Sequence, residues 1–199
     1  LKKERINATY FFLPGTIPIS ALSQTSKEQK INVAFFGTLY QKFPYKLLAE
    51  RLMSISELLR LPIELKIIGR QRDTIGLQHL RSIAQSYPFT ISKTGELSAN
   101  EISKELKSCS IGVSTTPYDV LGKSGATAAM LEHGLPILAN DDGDTPKKSL
   151  FILEQFKDQL FLLDDDFSVE EFLQISQKIR KPFFDGVAFT AKKMLEIVH

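Results

Sequence analysis

SIGVSTTPYDVLGKSGATAAMLEHGLPILAN, residues 110–140, contains two short apolar runs with one helical stretch between them. The β-branched run at 110–115 predicts a strand, and PILAN at 136–140 predicts a second strand. Residues 124–133 have the composition of a helix, which Gly134 would end. A strand, a crossover helix and another strand form the unit from which parallel sheets are built.

The same alternation continues on both sides of this unit. Four further strands and several helices are predicted from hydrophobic periodicity and from end signals. The strands span 31–37, 63–69, 89–95 and 159–163. The helices span 45–60, 74–86, 98–107 and a stretch after Ser168, and another would begin at Thr145-Pro146. The sequence therefore predicts an α/β protein, a doubly wound parallel sheet of about six strands with helices on both faces.

The domain organisation follows from where this alternation starts. Residues 27–199 are predicted to form a single domain. Residues 1–26 contain Pro14, Gly15 and Pro18, which is typical of an entering segment or an interdomain linker.

Composition excludes several classes of function. Hydrophobic residues make up 43% of the 199 residues and charged residues 24%, which is ordinary for a globular protein. The net charge is +2 and the basic residues are scattered, so no basic stripe for nucleic acid is present. The single cysteine, Cys109, excludes an internal disulfide and fits a reducing compartment. No apolar run has the length of a membrane span, no secretory signal is present, and the three histidines form no local metal motif.

Loops that follow the predicted strands are the candidate ligand sites, because ligands bind at the carboxyl ends of the strands in open parallel sheets. These loops begin with Gly37-Thr38, Gly69-Arg70, Gly95-Glu96-Leu97, the segment 116–126, and Asn140–Asp144. Glycine lets a backbone approach a ligand closely, although glycines also end strands where no ligand binds.

Small residues at the start of the helix at 124–133 predict a phosphate site. The unpaired N–H groups of Gly125, Ala126 and Thr127 would lie at the positive end of the helix dipole. Lys123 would add a positive charge, and the hydroxyls of Ser124 and Thr127 would be additional donors. The alternative is an ordinary loop with a serine N-cap.

Gly122-Lys123-Ser124 is also the tail of a triphosphate-binding P-loop, and LFLLDDD at 160–166 resembles the strand that carries its magnesium-binding aspartate. However, Pro117 stands where the first glycine of that loop is required. The loop also follows the fourth predicted strand rather than the first. A diphosphate site is therefore favoured over a triphosphate site.

The order of these elements resembles the C-terminal, donor-binding half of GT-B-fold glycosyltransferases, a Rossmann-like domain. The resemblance covers residues 11–199 and depends on five segments. They are FFLPGTIPIS (11–20), VAFFGTL (33–39), ELKIIG (64–69), TGELSANEISKELKSCSIGVSTTP (94–117) and GKSGATAAMLEHGLPILA (122–139). It implies that Gly37 lies near the phosphates of a UDP- or GDP-sugar, that Glu96 and Leu97 meet the base, and that the helix after Lys123 holds the diphosphate and the ribose.

Several residues depart from the family pattern. Many retaining members carry two glutamates, and the equivalent positions here are Leu121 and Ala129. Glu132, one turn later, would be able to replace the ribose contact, although an exposed helix residue is the simpler interpretation. Thr38 replaces an arginine, and Lys42 only approximates a lysine position. Arg70 and Lys123 remain as cations that would face a diphosphate, and the choice between retention and inversion stays open.

The resemblance implies the donor-binding half of a longer glycosyltransferase, of which Leu1 is a fragment boundary. Its partners would be a nucleotide sugar, an unknown acceptor (a glycan, a lipid or a small molecule) and an N-terminal domain that carries the catalytic base. No other cofactor and no metal are expected. The protein would be cytoplasmic, and the further domain would be able to bring it to a membrane surface. The alternatives are a nucleotide-sugar 2-epimerase, for which Glu96 and Asp119 are the candidate carboxylates, and a non-catalytic binding module.

Overall fold

Strands and helices alternate along the chain as the sequence predicts. The computed structural model describes residues 13–20, 29–71, 74–141, 158–164, 168–179 and 186–198. The strands within these ranges are β1 (Ile31–Phe36), β2 (Ile63–Ile68), β3 (Phe89–Lys93), β4 (Ile111–Val113), β5 (Ile137–Ala139) and β6 (Leu160–Leu162). The helices are α1 (Tyr45–Leu59), α2 (Ile75–Ser86), α3 (Ala99–Lys107), α4 (Gly125–Glu132), α5 (Val169–Ile179) and α6 (Gly186–Val198). The predicted helix start at Thr145-Pro146 lies outside the described residues.

All six strands are parallel and lie in the order β3-β2-β1-β4-β5-β6. Val33 in β1 is paired with Leu65 in β2 on one side and with Ile111 in β4 on the other. The chain moves outward from β1 to β3 and then returns to the opposite side of β1. The loops after β1 and β4 therefore diverge and open a crevice between them. The predicted six-stranded doubly wound parallel sheet is confirmed.

The observed strands end earlier than the predicted ones. The predicted strand at 110–115 is confined to Ile111–Val113, and the one at 89–95 ends at Lys93. Just beyond these ends, two hydroxyl side chains bond to neighbouring elements. Ser114 Oγ lies 2.7 Å from Thr127 Oγ1 in α4, and Thr94 Oγ1 accepts the N–H of Gly69 (2.9 Å). Their side chains contribute to the carboxyl edge of the sheet.

The core is divided by the sheet because side chains alternate between the two faces of each strand. Val33 and Phe35 of β1 pack on the face covered by α1, α2 and α5, whereas Ala34 packs on the face covered by α3 and α4. The predicted apolar face of α1 is buried at Leu48, Leu52 and Ile55 but not at Leu59. Leu59 is exposed because it is the last residue of α1. The next residue, Arg60, has left-handed backbone angles and is the C-cap.

Residues 13–20, which we call the strap, cross α4 and reach α3. The Gly15 N–H donates to Glu132 Oε1 (2.9 Å), and the Ser20 N–H donates to Ser103 Oγ (2.9 Å). Ile17 is buried among the apolar side chains of α4. Part of the predicted entering segment therefore packs against the sheet domain.

His133 directly follows α4 and is buried. Its Nδ1 lies 2.7 Å from the Ala129 carbonyl oxygen and therefore carries a proton, because a carbonyl only accepts. Its Nε2 lies 2.8 Å from Ser103 Oγ and accepts the hydroxyl proton when the ring is neutral. Burial lowers the pKa of His133, the positive charge of Lys107 lowers it further, and the bond to Ala129 opposes this shift.

Leu52 and Leu58 lie on the same helix and provide a matched test of the core. Leu52 is fully buried, whereas Leu58 is 48% exposed. Leu52→Ala is expected to reduce the free energy of unfolding by about 2–5 kcal/mol, because it leaves a cavity in a packed core. Leu58→Ala is expected to change it by about 0.5 kcal/mol or less. Urea unfolding measures both, and equal losses would contradict this orientation of α1.

The low pKa of His133 gives stability a defined pH dependence. Below about pH 6.5, the ordinary pKa of histidine, the unfolded chain binds this proton more readily than the folded one. The free energy of unfolding should therefore fall as the pH decreases through this range and be insensitive to His133 above it. Urea unfolding between about pH 7.5 and pH 5 tests this. His133→Asn should lose this part of the slope, and an identical slope in both proteins would refute the assignment.

Candidate functional site at the carboxyl edge of the sheet

Gly37 and Ala126 bring the end of β1 against the first turn of α4. Gly37 has a φ of +94°, which favours glycine, and a Cβ atom placed on it would lie 2.7 Å from the Cβ of Ala126. A side chain at position 37 would therefore push the two elements apart. The predicted loop after the first strand and the predicted phosphate-binding helix start are in direct contact.

The first turn of α4 leaves two N–H groups available. Ser124 is the N-cap, and its Oγ accepts the N–H of Thr127 (3.2 Å). Within the described part of the chain, the N–H groups of Gly125 and Ala126 have no hydrogen-bond partner. Both residues are partly exposed at the positive end of the helix dipole. We call Gly37, Ser124, Gly125 and Ala126 the cradle.

Thr127 lies at the predicted helix start but does not face the crevice. Its hydroxyl is buried 2.7 Å from Ser114 Oγ, and its N–H is used by the N-cap. The expectation that the Thr127 hydroxyl and N–H are available as donors is therefore wrong in this geometry. Thr127 instead joins α4 to the end of β4.

Two threonines connect the cradle to the neighbouring loops. Thr115 Oγ donates to the Thr38 carbonyl oxygen (2.6 Å) and accepts the N–H of Tyr40 (3.1 Å), so it joins the loops after β1 and β4. Thr116 Oγ lies 3.3 Å from Ser124 Oγ. Thr38 therefore contributes its backbone to this edge, while its side chain is exposed.

The loops after β2 and β3 meet on the other side of the cradle. Gly69 and Gly95 form an antiparallel bridge, and the Gly69 N–H donates to Thr94 Oγ1 (2.9 Å). The side chain of Gln71 donates to the Gly37 carbonyl oxygen. Arg70 is exposed next to this bridge. These bonds place the loop after β2 directly beside the cradle.

Glu96 and Leu97 lie two strands away from the cradle, in the loop after β3. Glu96 is exposed, whereas Leu97 packs against the apolar cluster around α3 and α4. Ser98 caps α3 in a reciprocal arrangement with Glu101, which fixes the direction in which this loop leaves the edge.

A cavity of about 360 Å³ opens beside the cradle, at the ends of β1, β4 and β5. Its lining residues are Tyr40, Gln41, Lys42, Phe43, Thr115, Thr116, Pro117 and Asn140. Lys42, Pro117 and Asn140 lie in or near loops that the sequence singled out, but the cavity that they form with the other side chains was not predicted. Their sequence signal is their position in the loops after three strands, since the strand order that brings these loops together is not encoded locally.

The cations of this edge are exposed. Lys42, Arg70 and Lys123 all extend into solvent around the cradle and the cavity. Such side chains bind an anion through long-range attraction that salt screens, whereas the backbone N–H groups are fixed in place.

Residues 118–123 do not form a P-loop. Tyr118–Lys123 is a 3₁₀ helix whose Tyr118 and Leu121 side chains are buried, and the Ser124 N–H bonds to the Leu121 carbonyl oxygen (3.1 Å). A segment folded in this way does not wrap its N–H groups around a triphosphate. Of the aspartates in LFLLDDD, residues 165 and 166 lie outside the described ranges.

Glu132 lies at the other end of α4 from the cradle, about 10 Å away by helix geometry. The expectation of an exposed helix residue is wrong, because Glu132 is buried and bonded to Gly15. The ribose contact that the sequence suggested for it stays a prediction, and it would require this bond to be exchanged. Leu121 and Ala129, at the positions of the two family glutamates, are both buried and apolar.

The described ranges contain neither a metal-binding cluster nor a helix that could cross a membrane. No three His, Cys, Asp or Glu side chains there are grouped to hold a metal ion. None of the helices in those ranges combines the length and the hydropathy that a membrane crossing requires.

The sequence matches no protein-family model and no curated protein closely enough to assign a family. The solved structure of TarM matches with a TM-score of 0.52 and 15% identity, over 89% of this chain and 36% of that chain. AviGT4, described as a glycosyltransferase involved in avilamycin A biosynthesis, matches with a TM-score of 0.52 and 15% identity, over 94% of this chain and 56% of that chain. The chain has a GT-B-like fold. The resemblance to one half of a GT-B protein is thereby confirmed at the level of fold, and this GT-B-like domain spans about a third to just over half of the two solved chains.

The contact between Gly37 and Ala126 is testable with a matched glycine. Gly37 and Gly95 both have positive φ, but a Cβ at Gly95 would meet nothing within 4 Å. Gly95→Ala should cost about 1–2 kcal/mol of stability from the backbone alone, and Gly37→Ala should cost clearly more. Removing the opposing Cβ with Ala126→Gly should recover part of the extra loss. Thermal and urea unfolding measure this double-mutant cycle, and zero coupling between positions 37 and 126 would contradict the contact.

Proposed function

We propose that this chain binds a nucleoside-diphosphate sugar at the carboxyl edge of its sheet and is the donor-binding half of a glycosyltransferase. The contact of Gly37 with Ala126 carries the proposal, because it joins the end of β1 to two unbonded N–H groups at a helix start. Such N–H groups point out along the helix axis and favour phosphate. The shared fold with AviGT4 supports sugar transfer as the activity of the longer protein.

The order of the loops along the edge fits the parts of a nucleotide sugar. The ends of β3, β2, β1, β4 and β5 form a row, and neighbouring strands lie about 4.8 Å apart. We assign the base to the loop at Gly95–Leu97, the diphosphate to the cradle, and the sugar to the cavity at the far side of β1. Uracil or guanine is the expected base.

The cavity has the composition that a sugar ring requires. Tyr40 and Phe43 supply aromatic surface, while the amide groups of Gln41 and Asn140 and the hydroxyl of Thr116 supply hydrogen bonds. Its volume of about 360 Å³ is in the lower part of the range of small-molecule sites. Thr116 lines the cavity, and its hydroxyl lies 3.3 Å from Ser124 Oγ in the cradle, so a sugar attached to the diphosphate would lie beside the cavity.

In the proposed reaction the bond between the anomeric carbon and the diphosphate oxygen breaks, and its electron pair leaves with the diphosphate. An acceptor oxygen bonds to the anomeric carbon and releases its proton to a base on a further domain. The cradle would stabilise the negative charge that develops on the leaving diphosphate by fixed dipoles. Lys123 and Arg70 would add positive charge. No residue of this chain is assigned as the base.

A non-catalytic donor-binding module is the second candidate. The observation in its favour is the burial of Leu121 and Ala129, which leaves apolar side chains where many retaining family members have carboxylates. Such a module would bind the nucleotide sugar without transferring the sugar. A sugar-transfer assay on a protein that contains both halves separates the two functions, since only a glycosyltransferase releases the free nucleoside diphosphate in step with product.

Nucleotide binding tests the proposal on this chain alone. Calorimetry with UDP, GDP, ADP, CMP and ATP with magnesium is expected to show one preferred diphosphate. Lys123→Ala should lower the affinity for that diphosphate by about three- to tenfold, because the Lys123 charge faces the phosphates. The affinity for the matching nucleoside should not change. Lys192→Ala, which removes an exposed charge on α6, is the control.

Two results would count against this assignment. A preference for ATP with magnesium would indicate a triphosphate site instead of a diphosphate site. If Lys123→Ala and the parent chain bind the preferred diphosphate with equal affinity, Lys123 is not part of the site.

A further inference from the structure

The two ends of α4 are built differently. Its first turn is partly exposed and has unbonded N–H groups, whereas its last residue, Glu132, and the following His133 are both 4% exposed. Ionisable side chains are rarely buried unless they are paired. Burial of these two side chains costs free energy, and the cradle at the opposite end of the helix does not explain why they are buried.

Glu132 is enclosed by three parts of the chain. Its Oε1 accepts the N–H of Gly15 (2.9 Å), and a Cβ on Gly15 would lie 2.8 Å from the Cα of Ala129. A Cβ on Gly186 would overlap Glu132 Oε1. The strap, α4 and the start of α6 thus meet at one carboxylate, and the two glycines permit this close approach.

Charge explains why the carboxylate is stable there. A negative charge at the carboxyl end of α4 is unfavourable, because that end of the helix dipole is itself negative. The start of α6 at Gly186, which lies against the carboxylate, is the positive end of another helix. Together with the N–H of Gly15, it offsets this cost. Loss of the strap would remove the N–H of Gly15 from the carboxylate.

The strap runs along the whole of α4. At the cradle end, the Leu13 N–H lies 3.5 Å from the Gly122 carbonyl oxygen, and the Leu13 side chain is 3.9 Å from a Cβ position on Gly125. At the opposite end, the strap is bonded to Glu132 and to Ser103. A shift of the strap would therefore change contacts at both ends of the helix.

We propose that the strap positions α4, with Glu132 as the positioning residue, so that attachment of the strap sets the affinity of the cradle for a diphosphate. This proposal depends on the proposed function for the identity of the ligand. The attachment itself does not depend on it. Glu132 acts at a distance from the cradle, through the orientation of the helix.

Three variants test the proposal against a control. Gly15→Ala places a side chain between the strap and α4, Glu132→Ala removes the acceptor, and Glu132→Gln keeps an oxygen that accepts the N–H of Gly15. Glu50→Ala removes an exposed carboxylate on α1 and is the control. The readouts are the Kd for UDP or GDP, whichever the parent chain binds, and amide exchange at Gly15, Ser20 and Ala128. The Ala128 N–H reports on the first turn of α4, because it bonds to the Ser124 carbonyl oxygen (2.9 Å).

Gly15→Ala and Glu132→Ala should raise the Kd by about tenfold, a change of about 1.4 kcal/mol, and accelerate exchange at all three amides. Glu132→Gln should stay close to the parent chain, a rescue that a general loss of stability would not show. Faster exchange at Gly15 and Ser20 with an unchanged Kd and unchanged exchange at Ala128 would overturn the proposal. If the parent chain binds no diphosphate, the proposed function is wrong, and the Ala128 exchange rate alone decides whether the strap positions α4. If Gly15→Ala does not fold, the two Glu132 variants decide it.

Discussion

The contact between Gly37 and Ala126 is the constraint on which the carboxyl edge depends. The absence of a side chain at position 37 lets the end of β1 touch the first turn of α4, across the line where the strand order reverses. Once these elements touch, the loops after β1 and β4 are close enough for Thr115 to bond to both Thr38 and Tyr40. The crevice, the two exposed N–H groups and the adjoining cavity are consequences of this one approach, together with the parallel order of the strands.

The proposed site relies on backbone N–H groups, while the positions of the two family glutamates hold apolar side chains. Leu121 and Ala129 are buried and contribute packing, and the cations around the edge are exposed. Fixed N–H dipoles need no reorganisation when a charged ligand arrives, which is the property that favours catalysis by electrostatic stabilisation. The two ends of α4 then have separate functions. The first turn is left open to a ligand, while Glu132 at the last turn attaches the helix to the strap.

Much of the fold was predictable from the sequence, because strand and helix periodicity and the glycines after β1, β2 and β3 are local signals. The open helix start was also predictable, from the small residues after Lys123. The direction of the Thr127 hydroxyl was not, since it depends on Ser114 across the β4–α4 connection. Nor was the burial of Glu132, whose partner Gly15 is 117 positions earlier in the chain. The cavity was missed because its lining comes from three loops that only the strand order brings together.

The most direct test of this account is an NMR titration of the chain with UDP and GDP, with the matching nucleosides as references. The account predicts that the difference between diphosphate and nucleoside is concentrated in the amide signals of Gly125 and Ala126, with smaller changes at Gly37. Changes in the loop at Gly95–Leu97 should be common to nucleotide and nucleoside, since the base is assigned there. Diphosphate-specific changes confined to residues away from the cradle would contradict the account.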